Sequence, residues 1–217
     1  MDYIKTRELM VKNQLRPNGI SSNKILDLFL SVPKENFLSN EMKPFAYIDN
    51  EILINKNAYY LSNLNIAKLI QYSNLNINDN LLHIGSLSGY VTVILSKLVQ
   101  NVTAIEKNID LYNLLEKNLK QFNISNVSAY NINYEGRFNL DEKFDIIFMD
   151  LIVEYIPEII LSKLNDNGRL ITIERVDNNL SKGIRITKNN NNFFKEKIFD
   201  SMNDLSTNFK KKEEFEF

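Results

Sequence analysis

A short stretch with two glycines is the part of this sequence that points most directly to chemistry. It reads Gly85-Ser86-Leu87-Ser88-Gly89, directly after a short apolar run and directly before a helical pattern. We expect Gly85 to let the chain turn sharply and Gly89 to let the helix pack against the strand. Backbone N–H groups at the start of that helix could then receive a carboxylate or a phosphate. The G-x-x-x-G spacing also fits a tight turn that binds no ligand.

Glu106 is the second such feature, because it ends the next apolar run about twenty residues after the glycine turn. At this position an acidic side chain accepts hydrogen bonds from two ribose hydroxyls of a bound nucleoside. It could equally be an ordinary solvated glutamate ahead of Lys107. Leu87, in the middle of the turn, disfavours a dinucleotide, because a pyrophosphate needs close approach of the backbone there. The turn and Glu106 together predict a ligand that contains a nucleoside.

The composition excludes several other kinds of chemistry. The 217-residue chain has no cysteine, which excludes disulfides, thiolate metal sites and cysteine nucleophiles. Its single histidine, His83, cannot form a His-rich metal site, so we expect no metal. The formal net charge of -1 argues against a nucleic-acid binder with a broad basic face. No apolar run is long enough to predict a membrane span.

Strands and helices that alternate along the chain must position these residues. The apolar pattern predicts strands at 81–84, 102–105, 127–130, 144–149 and 169–173, with helices at 90–98, 109–122 and 157–164 between them. Such alternation predicts an α/β fold with a doubly wound, mostly parallel sheet and right-handed crossovers. Ligands of such sheets bind beyond the carboxyl ends of the strands, where the glycine turn and Glu106 would meet.

The two ends of the chain follow other patterns. Before the sheet, we expect three helices. The first ends near Arg16, the second begins after a cap at Ser21 or Ser22, and the third covers 63–72. We expect residues 34–57 to be irregular. After the sheet, the runs at 183–187 and 193–199 predict antiparallel strands added at the sheet edge. We therefore expect one domain with a helical N-terminal segment (1–78), a ligand-binding core (79–176) and C-terminal antiparallel strands (177–217).

Short motifs over nearly the whole chain point to a known family. They read M-V-x-x-Q-L (10–15), V-P-K-E-x-F (32–37), A-Y-x-D (46–49), L-S-N-L-N-I-A-K-L-I-Q (61–71), I-G-x-x-S-G-Y (84–90) and F-D-I-I (144–147). These segments resemble the protein-L-isoaspartate O-methyltransferase family, and in particular its bacterial branch. Among methyltransferases, V-P-K-E-x-F and A-Y-x-D are specific to that family. The resemblance implies a Rossmann-like methyltransferase fold and S-adenosylmethionine as the cofactor.

The resemblance also implies roles for residues near the cofactor. The glycine turn would enclose the methionine part through its small residues, namely Gly85, Ser86, Ser88 and Gly89. Glu106 would bind the ribose, with Lys107 beside it in the same site. Asn133, or Asn131 if the loop is shifted, would take the place of an acidic residue that the family usually has near the adenine.

Two further residues have two interpretations each. His83 lies where the family commonly has an acidic residue near the amino group of the cofactor. It is either a polar group beneath the cofactor or a histidine satisfied within the core. Asp150, at the end of the fourth predicted strand, either faces the cofactor pocket or caps the next segment.

The family's loop with a catalytic serine ahead of a proline corresponds to residues 58–63. Aligned back from Ala67, Leu61 falls on the serine position and Ser62 lies one place later, and no proline follows. Ser62 is the candidate for orienting the acceptor carboxylate if the loop shifts by one residue. It is equally an N-cap for a helix that begins at Asn63.

The predicted reaction is methyl transfer from S-adenosylmethionine to the α-carboxylate of L-isoaspartyl residues in damaged proteins or peptides, in the cytoplasm and without a nucleic-acid, membrane or metal partner. A carboxylate is already ionised at neutral pH, so the reaction needs positioning and no general base. The substitutions at Leu61 and Leu87 leave open a weak or inactive relative that binds the cofactor or acts as a scaffold. The same residues are also compatible with a methyltransferase for another carboxylate and, more distantly, with a nicotinamide-dependent oxidoreductase.

Overall fold

The computed structural model describes residues 1–55, 58–136, 140–177, 180–202 and 207–210. In chain order, its elements are α1 (Tyr3–Met10), α2 (Asn23–Ser31), β1 (Ile52–Asn55), β2 (Ala58–Tyr60), α3 (Asn63–Tyr72), β3 (Asn80–Ile84), α4 (Tyr90–Ser96), β4 (Asn101–Glu106), α5 (Ile109–Gln121), β5 (Val127–Asn131), β6 (Phe144–Val153), α6 (Glu158–Leu161), β7 (Leu164–Arg175), β8 (Leu180–Asn189) and β9 (Asn192–Met202). The five predicted core strands are therefore confirmed. Of the expected C-terminal strand segment (177–217), residues 178–179, 203–206 and 211–217 lie outside the described residues.

The main sheet has seven strands in the order β5-β4-β3-β6-β7-β8-β9. The pairs from β5 to β7 are parallel, and β8 and β9 continue the sheet in antiparallel fashion. This topology confirms the doubly wound sheet and the antiparallel addition at its edge. Because the chain returns from β5 to pair β6 with β3, the strand order reverses beside β3. That reversal places a ligand site beyond the carboxyl end of β3.

Successive residues of β3 pack on opposite faces of the sheet, as strand geometry requires. Leu81 belongs to the larger hydrophobic core, which also contains the buried side chains of the N-terminal helices. Leu82 and Ile84 belong to a second core on the other face, together with Ile160 of α6. Both faces of the parallel strands are therefore covered, which explains their nearly continuous apolar sequences.

The segment after Pro157 differs from the prediction. We expected a helix from this proline to residue 164, but Pro157 is the N-cap and α6 ends at Leu161. Leu164 instead begins β7 and pairs with Phe144 of β6. Pairing in the sheet thus overrides the local helical pattern, and both strands are longer than predicted.

The N-terminal segment contains the predicted helices and one unpredicted hairpin. Ser22 caps α2 by accepting a hydrogen bond from the Ile25 N–H at 3.4 Å, and α3 has the predicted bounds. At the end of the stretch expected to be irregular, β1 forms, and it pairs antiparallel with β2, which follows that stretch. Among the described residues, no helix is both long enough and apolar enough to cross a membrane.

Candidate active site

The turn after β3 requires glycine at its first position. The N–H groups of Gly85 and Ser86 both donate to the Ile105 carbonyl of β4, at 3.0 and 3.2 Å. Gly85 has a φ of +80°, and a Cβ placed on it would lie 2.8 Å from Cδ2 of Leu151. The turn is therefore fixed against β4 and packed against β6 without room for a side chain.

The two serines of the turn form hydrogen bonds within the protein. Ser86 Oγ lies 3.2 Å from the carbonyl oxygens of His83 and Ile105, to which it can donate. Ser88 Oγ donates to the Phe37 carbonyl at 2.7 Å and lies 2.8 Å from the Tyr60 hydroxyl. These hydroxyls hold the turn in place, and both serines are buried.

The start of α4 is arranged in a similar way. Gly89 is its N-cap with a φ of +96°, and a Cβ there would lie 2.7 Å from Cδ1 of Leu115. The Gly89 N–H donates to the Ser86 carbonyl at 2.9 Å, and the Tyr90 N–H donates to the Tyr60 hydroxyl at 3.3 Å. These two donors, which the sequence suggested for an anion, are thus bonded within the chain.

A cavity of about 790 Å³ opens beyond the carboxyl ends of the parallel strands. Its wall includes Leu87 of the turn and Glu106 and Lys107 at the end of β4. Aromatic side chains contribute as well, from Tyr59, Tyr134, Tyr155 and Phe209. The middle residue of the turn, rather than its serines, therefore contacts this space. Its volume is in the range of small-molecule and cofactor sites.

Glu106 places a carboxylate on the cavity wall. The residue is 2% exposed, and its two oxygens accept hydrogen bonds from the N–H groups of Leu87 (2.8 Å) and Asn108 (2.9 Å). Burial raises the pKa of this carboxyl group, while these N–H donors and Lys107 act in the opposite direction. Because each carboxylate oxygen has two acceptor sites, each can accept a further hydrogen bond from a ligand.

Glu135 is a wall residue that sequence reasoning missed. Its Oε2 lies 2.9 Å from Lys107 Nζ, which in turn lies 5.2 Å from the centre of the Tyr134 ring. Asn133, the residue predicted here, is exposed and its Oδ1 accepts a hydrogen bond from the Glu135 N–H at 3.2 Å. Asn131 is also exposed, and it donates to the Glu106 carbonyl at 2.8 Å. The sequence signal that could have identified Glu135 is its acidic side chain two positions after Asn133, since an acidic residue was expected near the adenine.

His83 and Asp150 form a buried pair on neighbouring strands. His83 Nε2 lies 2.7 Å from Asp150 Oδ1, and His83 Nδ1 lies 2.9 Å from the Thr92 hydroxyl of α4. Both side chains are essentially inaccessible to solvent. The histidine is thus satisfied within the core, and the carboxylate of Asp150 contacts that histidine. A role for either residue towards a cofactor stays a prediction.

The two predicted catalytic residues of the acceptor loop, Leu61 and Ser62, do not line the cavity. Leu61 is 0% exposed and belongs to the larger hydrophobic core. Ser62 caps α3, because its Oγ accepts a hydrogen bond from the Asn65 N–H at 3.3 Å. Two other residues of the loop, Ala58 and Tyr59, do line the cavity, and burial raises the pKa of the Tyr59 hydroxyl.

The seven-stranded sheet and its cavity at the point of strand reversal define a Rossmann-like methyltransferase fold. A family model described as protein-L-isoaspartate(D-aspartate) O-methyltransferase matches residues 5–203. The chain therefore belongs to this family of S-adenosylmethionine-dependent enzymes.

Individual relatives agree with the family assignment. A protein-L-isoaspartate O-methyltransferase of Aliivibrio fischeri is 30% identical over 195 residues, which cover 90% of this chain and 93% of that protein. One of Vibrio vulnificus is 33% identical over 159 residues, covering 72% and 76% respectively. A Plasmodium falciparum protein of the same description, crystallised with S-adenosyl-L-homocysteine, shares the fold with a TM-score of 0.75 at 23% identity, over 96% of this chain and all of that one.

Proposed function

We propose that this protein transfers a methyl group from S-adenosylmethionine to the α-carboxylate of L-isoaspartyl residues in damaged proteins. The observation that carries the proposal is the cavity with the buried Glu106 carboxylate on its wall, in a chain that matches the family over residues 5–203. A scaffold protein or an enzyme for another acceptor receives no support from the relatives. The cytoplasmic location and the division into three segments rest on the sequence and the resemblance.

The cavity fits the cofactor in both size and chemistry. We assign the ribose hydroxyls to the open acceptor sites of Glu106 and the adenine end to the wall formed by Lys107, Tyr134 and Glu135. Glu135 thereby takes the part predicted for Asn133. Anionic and aromatic groups side by side suit a ligand with hydroxyl and amino donors and a flat ring.

The turn supports this site from one side. We assign to Gly85, Ser86, Ser88 and Gly89 the task of fixing the turn so that Leu87 forms the wall near the methionine part. We place the His83–Asp150 pair in a supporting role behind them.

The reaction demands little acid–base chemistry from the chain. When bound, S-adenosylmethionine supplies an electrophilic methyl group on a sulfonium. The acceptor carboxylate is ionised at neutral pH, so the protein has only to hold it in line and exclude water. Leu61 has no hydroxyl to offer, and we keep Ser62 as the candidate that orients the carboxylate.

A pair of peptides tests this function. We expect methyl transfer, measured as methanol released on ester hydrolysis, with a peptide that contains one L-isoaspartyl residue. The same peptide with an ordinary aspartyl residue should give none. Calorimetric binding of S-adenosylmethionine without methylation of the isoaspartyl peptide would contradict the proposed acceptor, and absence of binding would contradict the cofactor assignment.

A further inference from the structure

A buried lysine has no part in the function so far proposed. It lies in the N-terminal segment (1–78), which we call the acceptor half because it contains the Leu61–Ser62 loop; the strands and loops around the cavity form the cofactor half. Lys34, the lysine of V-P-K-E-x-F, is 0% exposed. Its Nζ donates to Asn63 Oδ1 at 2.9 Å and lies 5.2 and 5.4 Å from the ring centres of Tyr60 and Tyr90. A buried ammonium carries a desolvation penalty, and an amide and two ring faces compensate for it only in part. This arrangement is costly for a residue that only fills the core.

The partner of Lys34 connects it to the acceptor loop. Asn63 is the first residue of α3 and directly follows Ser62, the proposed carboxylate-orienting residue. Its Nδ2 donates to the Ala46 carbonyl at 3.2 Å. The Asn63 side chain therefore joins three segments, the V-P-K-E-x-F motif, the A-Y-x-D motif and the loop before α3. No proline follows Ser62, and the amide side chain of Asn63 makes this connection instead.

The backbone of Lys34 is anchored independently. Its N–H donates to the Tyr47 hydroxyl at 3.1 Å, and the same hydroxyl accepts a hydrogen bond from Arg7 Nε at 2.9 Å. Tyr47 donates in turn to Glu35, and Glu35 pairs with Arg7 Nη2 at 3.0 Å. This network holds the base of the lysine while its ammonium holds Asn63. A lysine fixed at both ends can transmit the position of one segment to another.

We propose that Lys34 is a positioning residue that fixes the Leu61–Ser62 loop, through Asn63, for binding of the acceptor. The inference rests on the proposed function and identifies what aligns the acceptor side. Burial lowers the pKa of Lys34 to about 7, although the negative charges of Asp150 and Glu51 act to raise it. Both its ammonium and its amine forms have N–H groups that can donate to Asn63, so the connection persists on either side of that pH.

Three variants test the role, namely Lys34→Met, Lys34→Arg and the control Lys24→Met on the exposed side of α2. With Lys34→Met we expect the acceptor KM to rise about tenfold, as for loss of a hydrogen bond to a charged donor. The dissociation constant for S-adenosylmethionine should stay within twofold. Lys34→Arg should recover most of the loss, and Lys24→Met should match the wild type.

Amide hydrogen exchange provides a readout that does not depend on turnover. In Lys34→Met, exchange should accelerate at residues 61–66 and stay unchanged in α5, because the loop loosens locally. Unchanged exchange at 61–66, or equal acceleration throughout the protein, would overturn the proposal. If Lys34→Met does not fold, Asn63→Ala should show the same pattern, since it removes the other half of the hydrogen bond. A wild type that methylates no isoaspartyl peptide would contradict the proposed function, while the exchange result would still decide whether Lys34 fixes the loop.

Discussion

The cofactor half and the acceptor half of this molecule use their polar residues in different ways. In the cofactor half, Glu106, Lys107 and Glu135 lie on the wall of a cavity of about 790 Å³. In the acceptor half, Lys34 and Asn63 bond to each other inside the core, and the core cluster there includes Leu61. The difference teaches that residue types alone do not locate a site. Polar groups can meet a ligand only where the strand order leaves space in front of them.

The largest effect should come from a substitution that fills the cofactor turn. In Gly85→Val, a β-branched residue must adopt a φ of +80°, and its Cβ would lie 2.8 Å from Leu151 Cδ2. We expect the free energy of unfolding to fall by about 3 kcal/mol or more, measured by urea titration. Binding of S-adenosylmethionine should weaken as well, because Leu151 belongs to the cavity wall.

Gly19→Val is the matched control for that change. Gly19 has a similar φ of +90°, but no described atom outside its chain neighbours lies within 4 Å of a Cβ built there. Only the backbone penalty should remain, at about 1–2 kcal/mol. Equal losses in the two variants would mean that the wall at Leu151 yields freely, and the cofactor half would then be less rigid than we infer.

The second effect is a pH dependence of stability that arises from Lys34 in the acceptor half. Because the pKa of Lys34 is lowered to about 7 in the folded protein, the unfolded chain binds more protons between pH 7 and its ordinary value of 10.5. Stability from this group should therefore rise with pH across that window, by roughly 2 kcal/mol from pH 7 to 9. Urea midpoints of the wild type and of Lys34→Met at pH 7, 8 and 9 measure it. The wild type should gain relative to the variant.

The other titratable groups that face Lys34 do not make stability rise between pH 7 and 9. Burial raises the pKa values of Tyr60 and Tyr90, so these hydroxyls stay protonated below pH 9. The negative charges that act on Lys34 come from Asp150 and Glu51. Parallel pH profiles for the wild type and Lys34→Met would show that this lysine is not held in a low-polarity environment.

The third effect concerns the carboxylate on the cavity wall. In Glu106→Gln, one side-chain oxygen becomes an NH2 group that must face a backbone N–H, so the ribose loses an ionised acceptor. We expect the dissociation constant for S-adenosylmethionine to rise about tenfold to a hundredfold. Calorimetry measures it, with Glu8→Gln on the exposed side of α1 as the control. An unchanged dissociation constant would show that Glu106 does not bind the ribose. Its role would then be to hold the turn through the Leu87 N–H.

The sequence predicted the parallel core well because apolar runs alternate with amphipathic helices there. It also placed Gly85 and Gly89 in the turn after β3 and Glu106 at the end of β4, because these positions depend on strand ends that the pattern reveals. The hairpin of β1 and β2 was missed because its strands are short and no Asn-Gly or Asp-Gly turn separates them. Local patterns can predict only what local geometry determines.

The partners of the site residues lie beyond such patterns. The hydroxyl of Ser88 bonds to the carbonyl of Phe37, which is fifty-one residues away in the chain. Whether Glu135 or Asn133 lies on the cavity wall depends on how one loop packs against Lys107. The burial of Leu61 depends in the same way on the packing of the N-terminal segment. These features are set by tertiary contacts that have no signature in a single segment.

The smallest expected effect comes from substitutions of Ser62, which test whether this residue orients the acceptor or only caps α3. Its Oγ caps α3, so Ser62→Ala should lower the free energy of unfolding by about 1 kcal/mol. Ser62→Asn keeps a capping oxygen but removes the hydroxyl, and it should restore most of that stability. If the hydroxyl orients the acceptor, both variants should lower kcat for the isoaspartyl peptide to a similar extent. If Ser62 only caps, Ser62→Asn should turn over like the wild type. In that case the polar groups that align the acceptor would have to be sought around Lys34 and Asn63, which bond to each other behind the loop.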